Sequence, residues 1–190
     1  PPDQERVTTL FRDLEFKTLL ERLGTPPREI PAEGEYGAAR SAGELLAEVR
    51  GRREVGVILV RAPGHPMSAA LTGVAVASQE GQARLLALVG QIPPELAAWL
   101  ADGAIHKISG DVKADHHLLH GHGVTPGGFD FDVAIAAYLL NPGKRTHTLE
   151  TTAWEYLTWR LGEEEGEGAL PLGGAVQAGR AADALIRLRP

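Results

Sequence analysis

Between residues 5 and 23 apolar side chains recur at helical spacing: Val7, Leu10, Phe11, Leu14, Leu19, Leu20 and Leu23. The pattern predicts an amphipathic helix closed by Gly24, with Pro26 and Pro27 just beyond it. Residues 25–37 are rich in Pro, Gly and Glu, and read as a connector. A second helix is predicted over residues 41–50, with Ser41 as N-cap and Glu44 completing a capping box. Three strand-like runs follow at 55–60, 71–78 and 83–89, separated by turn segments as in an antiparallel meander. The pattern then alternates. A helix is expected over 95–100, a strand over 104–109, a helix over 111–120 and a strand over 128–131. A helix over 133–140 runs to Asn141-Pro142-Gly143, and two more are predicted over 149–161 and 174–188. A meander followed by strand–helix alternation implies an α/β domain, a mixed sheet flanked by helices.

Composition narrows the function classes. The 190-residue length suits one domain with a short flanking arm. The division expected is an arm and connector over 1–37 and a body over 38–190. No apolar run approaches the roughly 20 residues of a membrane span, so no membrane partner is expected. The chain has no cysteine, which excludes disulfides and thiolate metal sites and makes a reducing cytoplasm the default. A net charge of −6 argues against strong autonomous nucleic-acid binding, which needs clustered Lys and Arg. The glutamate-rich stretch 163–167 is expected to be a solvated loop.

Four segments then point to a family. Phe131-Asp132 through Tyr138-Leu139-Leu140-Asn141-Pro142-Gly143 resembles a Phe-Asp-Thr-x-x-x-x-Tyr-Leu-Leu-Asn-Pro-Gly segment. The helix after it, from Thr148-Leu149-Glu150 to Glu155-Tyr156-Leu157, is similar to the next helix of the same proteins. Upstream, Lys107 to Asp115 resembles a Lys-x-x-x-Asn-x-Lys-x-Asp motif, and Leu10 to Leu20 resembles a linker helix. The family is the 3′–5′ exonuclease-like domain of bacterial family A DNA polymerases. The resemblance implies a ribonuclease-H-like (DnaQ-like exonuclease) fold. It also implies a parent chain with polymerase and 5′-nuclease regions as partners, DNA reached through that parent, and Mg²⁺ for the parent polymerase.

In that family two divalent metals cleave the 3′ end, one generating hydroxide and both stabilising the phosphorane. Their ligands are implied to be an Asp-x-Glu on the first strand, an Asp in the second motif and a Tyr-x-x-x-Asp on the last helix. Here no Asp or Glu stands between Glu54 and Glu80, and Arg61 falls near a carboxylate position. Gln177 stands at the tyrosine position, or Gly179 if the register shifts by two, and Ala181 at the last aspartate, if Asp183 matches the family's following Asp. Asp115 alone remains of the implied set. The domain is therefore expected to hold no metal, need no cofactor and lack exonuclease activity. Two alternatives stay open: a live exonuclease with a relocated site built from Asp111, Asp115, Asp130 and Asp132, and a weak DNA-binding module.

Other side chains invite chemistry. His116 and His120 share a helix face at i, i+4 spacing, as a metal pair would; helix-end residues are the plainer account. Period-2 geometry would put Asp130 and Asp132 on one face of a strand, with Asp132 as N-cap of the next helix. Trp154 and Trp159 are expected to pack in the core or between domains rather than stack on bases.

Overall fold

The computed structural model describes residues 4–14, 34–65, 68–161 and 172–189. The first helix, α1 (Gln4–Asp13), covers the start of the predicted arm helix; the rest of that helix, its Gly-Pro stop, most of the connector and the glutamate run lie outside the described residues. Six strands form one mixed sheet: β1 (Glu35–Ala39), β2 (Glu54–Arg61), β3 (Leu71–Gln79), β4 (Gln82–Ala87), β5 (His106–Ser109) and β6 (Phe129–Asp132). Their order is β1-β4-β3-β2-β5-β6. The predicted meander is present, with β2, β3 and β4 antiparallel, while β1–β4, β2–β5 and β5–β6 pair in parallel.

The helices fall on the two faces. On one, α2 (Ala42–Glu48), α3 (Pro94–Ala101) and α4 (Val112–Gly121) bury Leu45, Leu96, Leu100, Leu118 and Leu119 against Val55, Val57, Val74 and Val76. On the other, α5 (Val133–Leu140), α6 (Leu149–Thr152) and α7 (Leu172–Arg187) pack Val133, Leu149, Ala182 and Leu185 onto Ala75, Ala77, Leu85 and Ile108. Because both faces are covered, β2 reads as an unbroken apolar run instead of an alternating one. Gly56 on β2 lets α7 approach: a Cβ there would lie 2.6 Å from the Ala182 carbonyl oxygen.

Local capping follows the sequence closely. The Ser41 hydroxyl accepts from the Glu44 amide at 3.2 Å, while the Glu44 carboxylate reaches back to the Arg40 amide at 3.0 Å, one residue before the usual partner. Two elements differ from expectation. Residues 35–37, read as the end of the connector, belong to β1, whose backbone pairs with β4 from Glu35↔Gln82 to Ala39↔Leu86. The helix predicted over 149–161 is four residues of α-helix continuing as a π-turn, Ala153–Leu157. It ends at Thr158, a non-glycine residue at φ 60°, which redirects the chain so that Trp159 enters the core.

Candidate functional site: a cleft at the carboxyl ends of the parallel strands

In parallel β-sheets the carboxyl ends of neighbouring strands open onto a common edge, where ligands characteristically bind. Here β2, β5 and β6 end together, and β5 and β6 run straight into α4 and α5. Between these ends and the start of α6 lies a cleft of about 330 Å³. Its polar lining is Arg61 from β2, Ser109 from β5, Asp111 and Asp115 from α4 and its cap, and His147, Thr148 and Glu150 at the start of α6.

The aspartates at the strand ends each have a partner already. Asp111 is the N-cap of α4, its Oδ1 accepting from the Ala114 amide at 2.9 Å. Asp132 caps α5 through Oδ1, which accepts from the Ile135 amide at 2.9 Å, and its Oδ2 accepts from the Val112 amide at 2.8 Å. One side chain thus satisfies amides at the starts of two helices, where unpaired donors otherwise remain. Asp115 accepts from the Ser109 hydroxyl at 2.5 Å. Burial pushes the Asp115 carboxyl up to about 7; the Ser109 hydrogen bond opposes this, the charges of Asp111 and Asp132 add to it, and Arg61 opposes it.

Asp130 does not join them. The β5–β6 register slips between Lys107, paired with Phe129, and Ile108, paired with Phe131, so Asp130 is the extra residue of a bulge. Phe129 consequently packs in one core layer and Phe131 against the other. The strict alternation that would place Asp130 beside Asp132 is broken, and Asp130 pairs with the exposed His106 instead.

The remaining sequence candidates separate. Arg61 is exposed on the cleft wall, close enough to influence Asp115. Gln177 is exposed on α7 and Ala181 packs against the second core; neither belongs to the cleft wall. Asp183 is fully buried, accepting from the Tyr36 hydroxyl at 2.6 Å and from Arg187 Nε at 3.1 Å. Burial, followed by this aspartate, raises the Tyr36 pKa. Lys107, which opens the second motif, is fully buried away from the cleft. Its ammonium donates to the carbonyl oxygens of Asp102 at 2.7 Å, Gly127 at 2.8 Å and Ile105 at 3.3 Å, and it faces the Trp99 and Phe129 rings. Burial lowers its pKa to about 8.

On α4 the rings of His116 and His120 stand edge to face, 6.4 Å apart, and His116 also meets Phe129 edge-on at 5.9 Å. Burial, with the neighbouring histidines, lowers the His116 pKa. Among the described residues no three His, Asp or Glu side chains converge as a metal site would require. Trp159 is buried beneath the Arg187 guanidinium, and Trp154 is half-buried under Arg160. Sequence reasoning passed over Ser109, His147 and Glu150. Only Ser109, just before the cap aspartate in Ser-Gly-Asp, carries a local signal; the other two reach the cleft through the fold.

This geometry defines the class of molecule. A five-strand β2-β3-β4-β5-β6 unit, with β5 and β6 added in parallel beside β2 and helices on both faces, is the ribonuclease-H-like nuclease fold. Escherichia coli RNase D, an exoribonuclease involved in structured RNA processing, superposes with a TM-score of 0.63 at 18% identity over 80% of this chain and 43% of that one. Brucella melitensis NrnC with bound Mg²⁺ gives 0.65 at 20% identity over 80% of this chain and 75% of that one. At such identities the likeness concerns the fold.

The family follows from sequence. Residues 62–165 match the domain described as DNA polymerase I, ribonuclease H-like domain, and the chain belongs to that family of exonuclease-like polymerase domains. DNA polymerase I of Mycobacterium tuberculosis is 34% identical over 176 residues, covering 86% of this chain and 20% of the relative. DNA polymerase I of Bacillus caldotenax is 29% identical over 142 residues, covering 75% and 16%. The chain thus spans about a fifth of the length of the curated relatives it matches. A solved structure described as the POL domain of Pol1 from M. smegmatis, complexed with DNA primer-template and dNTP, superposes with a TM-score of 0.65 at 31% identity, over 80% of this chain and 26% of that one.

The family implies a pair of Mg²⁺ ions at this cleft, and the side chains present do not suit them. Such hard cations keep most of their water unless several anionic oxygens converge. Here β2 contributes an arginine, both Asp132 oxygens and one Asp111 oxygen accept backbone amides, burial pushes the Asp115 carboxyl up to about 7, and Glu150 adds a single further carboxylate to the wall.

Proposed function

We propose that this chain is a non-catalytic 3′–5′ exonuclease-like domain of a DNA polymerase I. It acts as a structural spacer and packing platform for the polymerase region in DNA replication and repair. Its partners are the polymerase and 5′-nuclease regions of a parent chain, with DNA and Mg²⁺ engaged by the parent. The arm and connector over 1–37 come from the 5′-nuclease side, and the parent works in the cytoplasm. Among the described residues no helix is long and apolar enough to cross a membrane.

The observation that carries the reading is Arg61. It occupies the carboxyl end of the central strand, where a cation needs an anion, and its charge faces the last family carboxylate, Asp115. A relocated site is disfavoured because the bulge removes Asp130 from the group and the caps engage Asp111 and Asp132. The test is incubation of the chain with a labelled single-stranded oligonucleotide and Mg²⁺ or Mn²⁺. The expected result is intact substrate; a ladder that disappears in Asp115→Ala would overturn the reading. A net charge of −6 also predicts no retained DNA in a low-salt gel-shift titration, and a retained band would favour the DNA-binding alternative.

A further inference from the structure

Helix α5 is apolar all round, Val-Ala-Ile-Ala-Ala-Tyr-Leu-Leu, a composition expected of a helix covered on every side. Only part of it is covered. Val133 and Ala137 are buried, whereas Ile135, Tyr138, Leu139 and Leu140 are 58%, 52%, 73% and 71% exposed. Across a groove of about 260 Å³ stands Tyr156 of the π-turn, 47% exposed. Five of the eight exposed large hydrophobic side chains among the described residues therefore belong to α5 or to the π-turn that faces it across the groove. Exposed single apolar residues are ordinary, but a contiguous patch marks a contact surface.

The groove has a third wall, Leu188 and Arg189 at the exit of α7. Whatever polypeptide a parent chain carries beyond α7 is delivered to its edge. The two cations on its wall are already paired within the domain, Arg187 with Glu80 and Arg189 with Glu54, and Lys144 between α5 and α6 is paired with Glu155 of the π-turn. An apolar centre inside a self-satisfied ionic rim matches a protein partner, and gives a phosphate backbone few unpaired cations to bind. We propose that the outer face of α5, with Tyr156 and the α7 exit, is the surface on which the polymerase region of the parent chain docks. This rests on the function proposed above.

The experiment compares amide exchange of residues 133–140 in the 190-residue chain and in the full parent chain, with primer extension by the parent measured alongside. The expected outcome is at least tenfold slower exchange of α5 in the parent. Leu139→Lys should abolish that difference without moving the melting temperature of the 190-residue chain, because Leu139 lies outside the core. Equal exchange in a parent that extends primers would overturn the docking surface alone. A parent that extends no primer would overturn the function and this inference together. A concentration-dependent dimer of the 190-residue chain, dissolved by Leu139→Lys, would assign the face to self-association instead.

Discussion

At the scale of single residues, Asp115 and Asp132 show how a carboxylate can stand at a nuclease-like cleft and serve the fold. A carboxyl with a folded-state pKa of about 7 holds its proton more tightly folded than unfolded, where the ordinary value is about 4. Its contribution to stability is therefore full below about pH 4 and is lost as pH rises through 7. Asp115→Asn keeps an acceptor for Ser109 and removes the titration. The variant should match the unsubstituted domain at pH 4 and exceed it at pH 8 by on the order of 4 kcal/mol, read from urea midpoints. Asp132 behaves differently because both oxygens accept amides. Asp132→Ala should cost roughly 2 kcal/mol by leaving two helix-start donors unpaired, and Asp132→Asn about half of that, since one acceptor oxygen survives. The Asp132 cap was legible in the sequence, since an aspartate before an apolar helical run is a local signal, whereas Asp111 was read as the first helical residue and caps α4 instead. The neighbourhood of Asp115 was not legible. It depends on Ser109, Arg61 and Asp132 arriving from three strands, and no spacing along the chain encodes that.

At the scale of elements, the meander was readable because β2, β3 and β4 are long apolar runs bounded by turns. Strand β1 was not. Its Glu-Tyr-Gly-Ala-Ala sequence carries no β-branched residue and follows a proline- and glutamate-rich stretch. Its extended state comes from partners: the β4 backbone, and the Tyr36 hydroxyl bond to Asp183 on α7. Residue spacing also failed at β6, where one extra residue sent Phe129 and Phe131 into different layers and carried Asp130 out of the cleft. The α7–sheet contact has its own requirement. Gly56→Ala would drive a methyl group to 2.6 Å from a backbone oxygen, which cannot swing aside as a side chain would. Displacement of α7 should cost about 1–3 kcal/mol, measured as a fall in the urea midpoint with the denaturant slope unchanged.

At the scale of the whole molecule, the fold class followed from element order and the family from four motifs in register, while the state of the cleft needed coordinates to show which carboxylates are engaged. The edge of the sheet carries one further consequence. β1 pairs with β4 alone, so it is the lid on that strand's outer row of amides and carbonyls. A shortened version starting at residue 38, the boundary that composition suggests, would discard three of its five residues, Tyr36 among them. It would leave the buried Asp183 with one partner fewer and β4 open to strand-on-strand pairing between molecules. Such a version should elute from a sizing column as aggregates, whereas one starting at Gly34 should run as a single species. A sharp monomer peak from the shorter version would mean that β4 needs no such cover.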